Sequence, residues 1–400
     1  MRPALQPQNL IPQKRTNLNR VMSPRIKDSV LFLCAGALCA VVVILISLGP
    51  SIVVGQSSAP SNWNPRRVSP GTEFIGDQAC GECHKKSFYP FAKTGMALAM
   101  ERVAESKILK ENPKLTLQLG PYFYEIKRQG RESLYSVTDG KNTISVPIQY
   151  ALGQGRMGQT YVLQYNGGFY ESRISFYNET KGLDFTVGSP RDIPKSLEEA
   201  FGHLLSSTEV VSCFSCHSIG ATSGQNLQLD KLVHGVRCES CHGPGGPHVA
   251  AVKTCELGYK STFNPGRLSG DEQSQQFCAL CHRGIDEYSV LESMEMNNVR
   301  FQPYRIFHSK CYSNDRNIRC TACHNPHEPL REDPAYYDSK CLACHALKGQ
   351  PVAQGSSPSC PVALKDCVSC HMPKVEIKAA HFKFTDHYIR IVKPGEKYPN

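Results

Sequence analysis

Nineteen cysteines and fourteen histidines among 400 residues follow a pattern. Seven times the chain reads Cys-x-x-Cys-His: CGECH at Cys80, CFSCH at Cys213, CESCH at Cys238, CALCH at Cys278, CTACH at Cys320, CLACH at Cys341 and CVSCH at Cys367. The chain's own composition would produce roughly 0.03 such pentapeptides by chance. Two thiols three apart, followed at once by an imidazole, suit covalent attachment of c-type haem. The thiols form thioethers to the porphyrin vinyl groups, and the His ligates the iron from one face. The attachment residues are then Cys80, Cys83, Cys213, Cys216, Cys238, Cys241, Cys278, Cys281, Cys320, Cys323, Cys341, Cys344, Cys367 and Cys370. The proximal ligands are His84, His217, His242, His282, His324, His345 and His371. Zinc sites built from Cys-x-x-Cys pairs would leave the recurring His unexplained. A thioredoxin-like redox pair normally occurs once, inside a βαβ pattern that this chain lacks. The expected cofactor is haem c, seven copies, covalently held.

Outside the motifs the chain has seven more histidines: His203, His234, His248, His308, His327, His381 and His387. Seven irons need at most seven distal ligands, so the match permits complete bis-His coordination without requiring it. Spacing sharpens two cases. His248 lies six residues after His242 and His327 three after His324, so each is tethered to the proximal face of its own haem. As iron ligands they would serve a neighbouring haem and hold adjacent porphyrins at hopping distance. His308, His381 and His387 come next as distal candidates, then His203 and His234. Met96, four before Met100, would share one face of a helix running through Ala104. Its thioether could be the second axial ligand of the first haem, raising the potential relative to a bis-His site; packing against the porphyrin is the plainer role.

These ligands need elements to hold them. Six motifs between Cys213 and His371 leave about 26 residues per haem, too few for a side-chain core in each unit. The porphyrins must supply the core, so the fold class is a multihaem cytochrome c in which loops and short α-helices wrap stacked haems. Residues 73–107 form the first haem unit, 191–290 carry haems 2–4 and 291–400 carry haems 5–7. From 108 to 190 the texture changes to alternating apolar and polar runs such as YFYEIK and TYVLQY, with no Cys or His. That segment reads as an inserted antiparallel β subdomain of about six strands, with hairpin signals at Asp139-Gly140 and Asn166-Gly167. Its expected role is packing and shielding, with a partner or substrate surface as the alternative.

Residues 1–28 are basic and precede an apolar segment, 29–50, whose run Val30 to Leu48 has no charge. This predicts a transmembrane anchor or signal sequence, oriented so that every motif lies outside the cytoplasm, and 51–72 reads as a linker. Beyond Cys34 and Cys39 of the apolar run, the exported part keeps Cys255, Cys311 and Cys360 outside the motifs; in an oxidising compartment Cys311 and Cys360 are the candidate disulfide. The formal charge of +10 omits the cofactors. Haem propionates and ferric irons together bring it to about +3, so the Lys and Arg excess reads as propionate partners, and no nucleic-acid motif is present.

The stretches HGVRCESCHGPGGPH, NPGRLSGDEQSQQFCALCHRG, HSKCYSNDRNIRCTACHNPHEP and DCVSCHMPKVEIKAAHFKFTDHYIR resemble bacterial multihaem cytochromes of the tetrahaem nitrification-cytochrome superfamily. FIGDQACGECH and GRMGQTYVLQYNGGFYESRISFY are similar to the first-haem unit and β insert of that group. The resemblance covers about residues 73 to 392. It implies that His248, His327 and His387 match distal-ligand positions. The chain departs from the repeat-fused members in carrying no helical repeats through Asn400, and at Met96, where relatives can carry His.

Two functions compete. Saturated bis-His haems suit an electron carrier in a periplasmic respiratory chain, exchanging electrons with other redox proteins or membrane quinol-oxidising complexes. A catalytic oxidoreductase acting on a small nitrogen or sulfur compound would need a five-coordinate iron and nearby acid–base groups. No Cys-x-x-Cys-Lys variant of the nitrite reductase kind is present, so the carrier is the preferred reading.

Overall fold

The computed structural model describes residues 63–255, 262–286, 295–312, 318–345, 360 and 362–399. The basic N-terminus, the apolar run and most of the linker lie outside the described residues, as does any test of an anchor there. Among the described residues no helix is long and apolar enough to cross a membrane.

The alternating segment folds as its period of two dictates. Strands β1 Met100–Glu101, β2 Lys114–Leu119, β3 Tyr122–Gln129, β4 Glu132–Thr138, β5 Thr143–Leu152, β6 Gly158–Tyr165, β7 Gly168–Ser172, β8 Ile174–Tyr177, β9 Gly182–Phe185 and β10 Gly202–Leu204 form one sheet. Its main order is β10-β7-β6-β5-β4-β3-β2, antiparallel throughout; β8 pairs with β6 and β9, and β1 with β5. Asn166 and Gly167 both take positive φ, 47° and 79°, which closes the two-residue β6–β7 turn and matches its twist to the strands. At the β4–β5 connection Asp139 Oδ1 instead accepts the N–H groups of Lys141 and Asn142, at 2.8 and 2.7 Å, making a longer turn.

One face of the sheet closes over a core of Tyr124, Ile126, Tyr135, Val137, Tyr161 and Leu163, all nearly or completely buried, against Ala200 and Phe201 of the helix Leu197–Phe201. The Tyr124 and Tyr135 hydroxyls donate to the carbonyls of Ala200 and Phe201, at 2.9 and 3.0 Å, so burying these phenols leaves no polar atom wanting. A register shift between Ile148 and Tyr150 bends β5. Its first half pairs with β4, and its second half with β6 and β1.

The sheet reaches beyond the alternating segment. β1 comes from the first haem unit and β10 from the approach to the second motif, so the sheet grips the chain on both sides of the insert. The run from Ala92 to Ala99 is a series of turns leading into β1, and no helix carries Met96 and Met100 together. Met100 is 1% exposed and packs with Val210, Phe214 and Ala221; strand pairing with Leu152 decided the local conformation over helical spacing.

From 205 onward the elements are short. The motif-bearing helices Asp77–Gly81, Ser207–His217, Cys238–His242, Ala279–His282, Cys320–Cys323, Pro334–His345 and Cys367–His371 are joined by loops. The expected Cys311–Cys360 disulfide is not formed. The Cys360 thiol is instead held below its ordinary pKa by the backbone N–H groups of Ala363 and Val362.

Candidate haem sites

Each motif contains a single helical turn, and that turn puts residues three apart on one face. The two thiols of a motif therefore point the same way, with the His following at the turn's end. Several proximal imidazoles have their second nitrogen engaged. Nδ1 of His217 meets the carbonyl of Ala99 at 2.9 Å, that of His242 the carbonyl of Phe263 at 2.8 Å, and that of His371 the carbonyl of Arg390 at 2.8 Å. A carbonyl can only accept, so Nδ1 carries the proton and Nε2 presents its lone pair to an iron. Burial lowers the His217 and His282 pKa values, which favours the neutral ligating form.

The motifs also touch one another. Cys80 is hydrogen-bonded to Cys238, Cys216 to Cys281, Cys278 to Cys320, and Cys341 to Cys367. The contact holds the Cys238 thiol above its ordinary pKa and that of Cys80 below it. With haem attached these sulfurs would be thioethers, and each of these cysteine pairs would hold the attachment edges of two haems near each other.

Side chains from one motif cap the helix of the other. Asp77 Oδ1 accepts the Cys238 N–H at 2.9 Å, and Asp338 accepts those of Asp366 and Cys367 at 2.7 and 2.8 Å. Gln273 accepts from Thr321 at 3.0 Å, turned inward by a π-helical stretch, Glu272–Cys278. The sequence reading missed these caps, although the shared Asp-x-x-Cys spacing at 77–80 and 338–341 is a visible signal. It missed equally the Glu239 carboxylate, 2% exposed, which gathers the N–H groups of Ile75, Gly76 and Gly245.

Three histidines from outside the motifs face a motif imidazole. His248 lies opposite His84 with ring centres 6.4 Å apart, His327 opposite His242 at 5.9 Å, and His387 opposite His324 at 6.1 Å. Rings stacked squarely face to face would sit at ~3.5–4.0 Å, and offset or edge-on pairs at ~4.5–7 Å. With metal–imidazole bonds of about 2.0 Å and ring centres ~1.1 Å behind the ligating nitrogens, two axial imidazoles on one iron would lie ~6.2 Å apart. The spacing fits an iron between each pair. Among the described residues no group of three or more His, Cys, Asp or Glu converges as a bare metal-ion site would require.

The other candidates stand differently. The imidazole facing His84 is that of His248, and Met96 lies in the turns before β1, where its carbonyl accepts the Val236 N–H. His203 has Nε2 on Glu209 at 3.0 Å, and His381 has Nε2 on Asp184 at 2.7 Å. In both, the nitrogen an iron would use is already taken by a carboxylate. His234 is 6.2 Å from the Tyr150 ring and has a buried Nδ1 without a hydrogen-bond partner, beside a cleft of about 460 Å³ that Arg102 and Arg131 also line. His308 packs on Tyr304, with ring centres 4.7 Å apart.

Comparison with known proteins agrees in kind. The family described as cytochrome c554 and c-prime matches residues 192–243, which include the second and third motifs. The multiheme cytochrome MtrA of Shewanella baltica (strain OS185) is 24% identical over 201 residues, 46% of this chain. The chain spans about half the length of that curated relative, 52%. The crystal structure of the outer cell wall cytochrome OcwA superposes with a TM-score of 0.47 at 16% identity, over 81% of this chain and 80% of that one.

Proposed function

We propose that the chain is a multihaem c-type cytochrome, similar to the matched family and relative, and that it is an electron carrier with seven haems, mostly bis-His ligated, on the extracytoplasmic side of the membrane. When bound, each haem supplies an iron that exchanges one electron between its ferric and ferrous states. The polypeptide binds, spaces and shields these centres. The fourteen motif cysteines and seven motif histidines hold the haems. His248 serves the first haem, His327 the third and His387 the fifth, each arriving from the next-but-one unit. His234 and His308 are the remaining candidates for distal ligation, while His203 and His381 tie down carboxylates.

The observation that carries this reading is the set of three imidazole pairs at iron-spanning distance. An iron saturated by two imidazoles offers no site to substrate, and it changes little in ligation between oxidation states. With the thiol contacts, the three pairs link all the motifs: 1–3, 3–5 and 5–7 through imidazoles, and 1–3, 2–4, 4–5 and 6–7 through sulfur. Every haem thus has a close neighbour, as hopping requires. Partners are other redox proteins or a membrane quinol-oxidising complex, reached from a chain anchored or exported by its N-terminal segment.

Electron paramagnetic resonance of the purified ferric protein tests the reading. The expected spectrum is low-spin, with no rapid binding of cyanide or nitric oxide, and the intact mass exceeds that of the bare chain by seven haems. A substantial high-spin signal would instead support catalysis on a small nitrogen or sulfur compound at an open iron. The observation favouring that second reading is that His203 and His381 spend Nε2 elsewhere.

A further inference from the structure

Where the fourth, fifth and seventh motifs approach each other, the structure buries an ion cluster that ligation by itself does not demand. Arg305 is 1% exposed and Asp386 completely buried. The guanidinium meets the carboxylate in a bidentate fork, Nε to Oδ1 at 2.9 Å and Nη2 to Oδ2 at 2.9 Å. Arg390 adds a second cation, Nη1 to Asp386 Oδ2 at 2.8 Å, and is itself paired to Glu396 at 2.7 Å. Arg305 also donates to the Pro399 carbonyl at 2.8 Å and lies 4.7 Å from the Tyr398 ring centre and 5.2 Å from that of Tyr388.

Removing two charged groups from water costs about as much as their attraction returns, so a buried pair is poor evidence of a stabilising role. What such a pair does well is fix geometry. Asp386 directly precedes His387, whose carbonyl accepts from Ser309 Oγ at 3.0 Å, while the same Oγ accepts the Ile389 N–H at 2.8 Å. Asp386 Oδ1 accepts the Tyr388 N–H at 2.9 Å, so the backbone on both sides of His387 is pinned. Four residues on, the Arg390 carbonyl holds Nδ1 of His371.

We propose that the Arg305–Asp386–Arg390 cluster is a positioning device that holds as one rigid unit the distal ligand of the fifth haem, His387, and the proximal ligand of the seventh, His371. This rests on the reading that His387 faces the iron of the fifth motif. Arg305, Asp386 and Arg390 are positioning residues; none touches a haem iron. Because one carboxylate orients both His387 and the Arg390 carbonyl, disturbing it moves the fifth and seventh haems together and leaves the first and third, held by His248 and His327, as they are. Partners behind metal-ligating histidines of this kind change ligand affinity by about 10–100-fold when altered.

The test uses the holoprotein of D386N, which keeps the side-chain volume and removes the charge. Haem content by mass and total absorbance is expected to be unchanged. A high-spin signal of up to about one haem in seven is expected to appear, and two low-spin haems to shift potential; a tenfold loss of ligation in one oxidation state corresponds to about 59 mV. H387A is the control and is expected to give one full high-spin haem. If H387A does so while D386N keeps the parent spectrum and potentials, the cluster has no positioning role. If H387A itself stays low-spin, the ligand assignment fails, and this inference falls with it. Should D386N not assemble, S309A removes only the hydroxyl bridge and is expected to shift the same two low-spin signals; an unchanged spectrum there also overturns the proposal.

Discussion

The β sheet and the motif-bearing half are built on opposite principles. Around the sheet, twenty buried apolar residues form one continuous cluster, in which the hydroxyls of Tyr122, Tyr124 and Tyr135 find carbonyls while that of Tyr161 does not. Among the described residues around the last motifs, the buried apolar cluster is only Val299, Ile377 and Ala380. Polar devices do the organising there: Asp77, Asp338 and Gln273 cap a neighbouring motif's helix, and Arg305 clamps Asp386. The sheet holds itself together by removing apolar surface from water. Among the described residues the motif half buries little apolar side-chain surface, so its cohesion is expected to come from what the cysteines bind. An ordinary domain and a cofactor-built one share a single chain, and β1 and β10 are the stitches between them.

Withholding haem is the severest way to break that contrast. Chain produced in a host without cytochrome maturation is expected to lose fixed structure from about 205 onward, as metal-dependent small folds do. The sheet region, 100–204, is expected to survive limited proteolysis and keep its β circular dichroism. Equal digestion of both halves would show that the sheet depends on the haems too. Next in size, Leu163→Ala removes a fully buried side chain from the sheet core. It is expected to cost about 3 kcal/mol in denaturant unfolding while leaving the Soret and low-spin spectra unchanged. Gly167→Ala forces a side chain into a turn at φ 79° and is expected to cost ~1 kcal/mol, again with no spectral change.

The smallest effect concerns acid. Burial pushes His387 down to about 4, with the neighbouring His324 adding to the shift. An unfolded His titrates near about 6.5, so between these values the unfolded state binds more protons, and stability falls as pH drops through that window. Iron coordination competes with protonation of Nε2, so low-spin ligation at the fifth haem is expected to persist through pH 6 and down to at least about pH 4. An optical titration in which ligation is lost near pH 6 would show that His387 is not buried as described.

Much of this was legible beforehand. Seven recurrences of one pentapeptide name a cofactor, because covalent attachment is local chemistry within five residues. Alternation from 114 to 185 and the Asn166-Gly167 pair gave the sheet and one of its turns for the same reason: period and φ preference act over a few residues. The expected helix carrying Met96 and Met100 failed for want of long-range information. Helical spacing is a local signal, but Leu152, fifty residues on, offered Met100 a strand partner. His203 and His381 could likewise be told from His327 only by what approached their Nε2 atoms.

By itself, then, the sequence determined which residues can hold haem and where a self-sufficient β core would form, since both follow from short-range covalent and conformational chemistry. Only the tertiary structure decided that His248 meets His84, His327 meets His242 and His387 meets His324, and that Asp77 and Asp338 cap helices other than their own. Those meetings join residues far apart in the chain, and which of many possible closures is realised depends on how all the units pack around their cofactors at once.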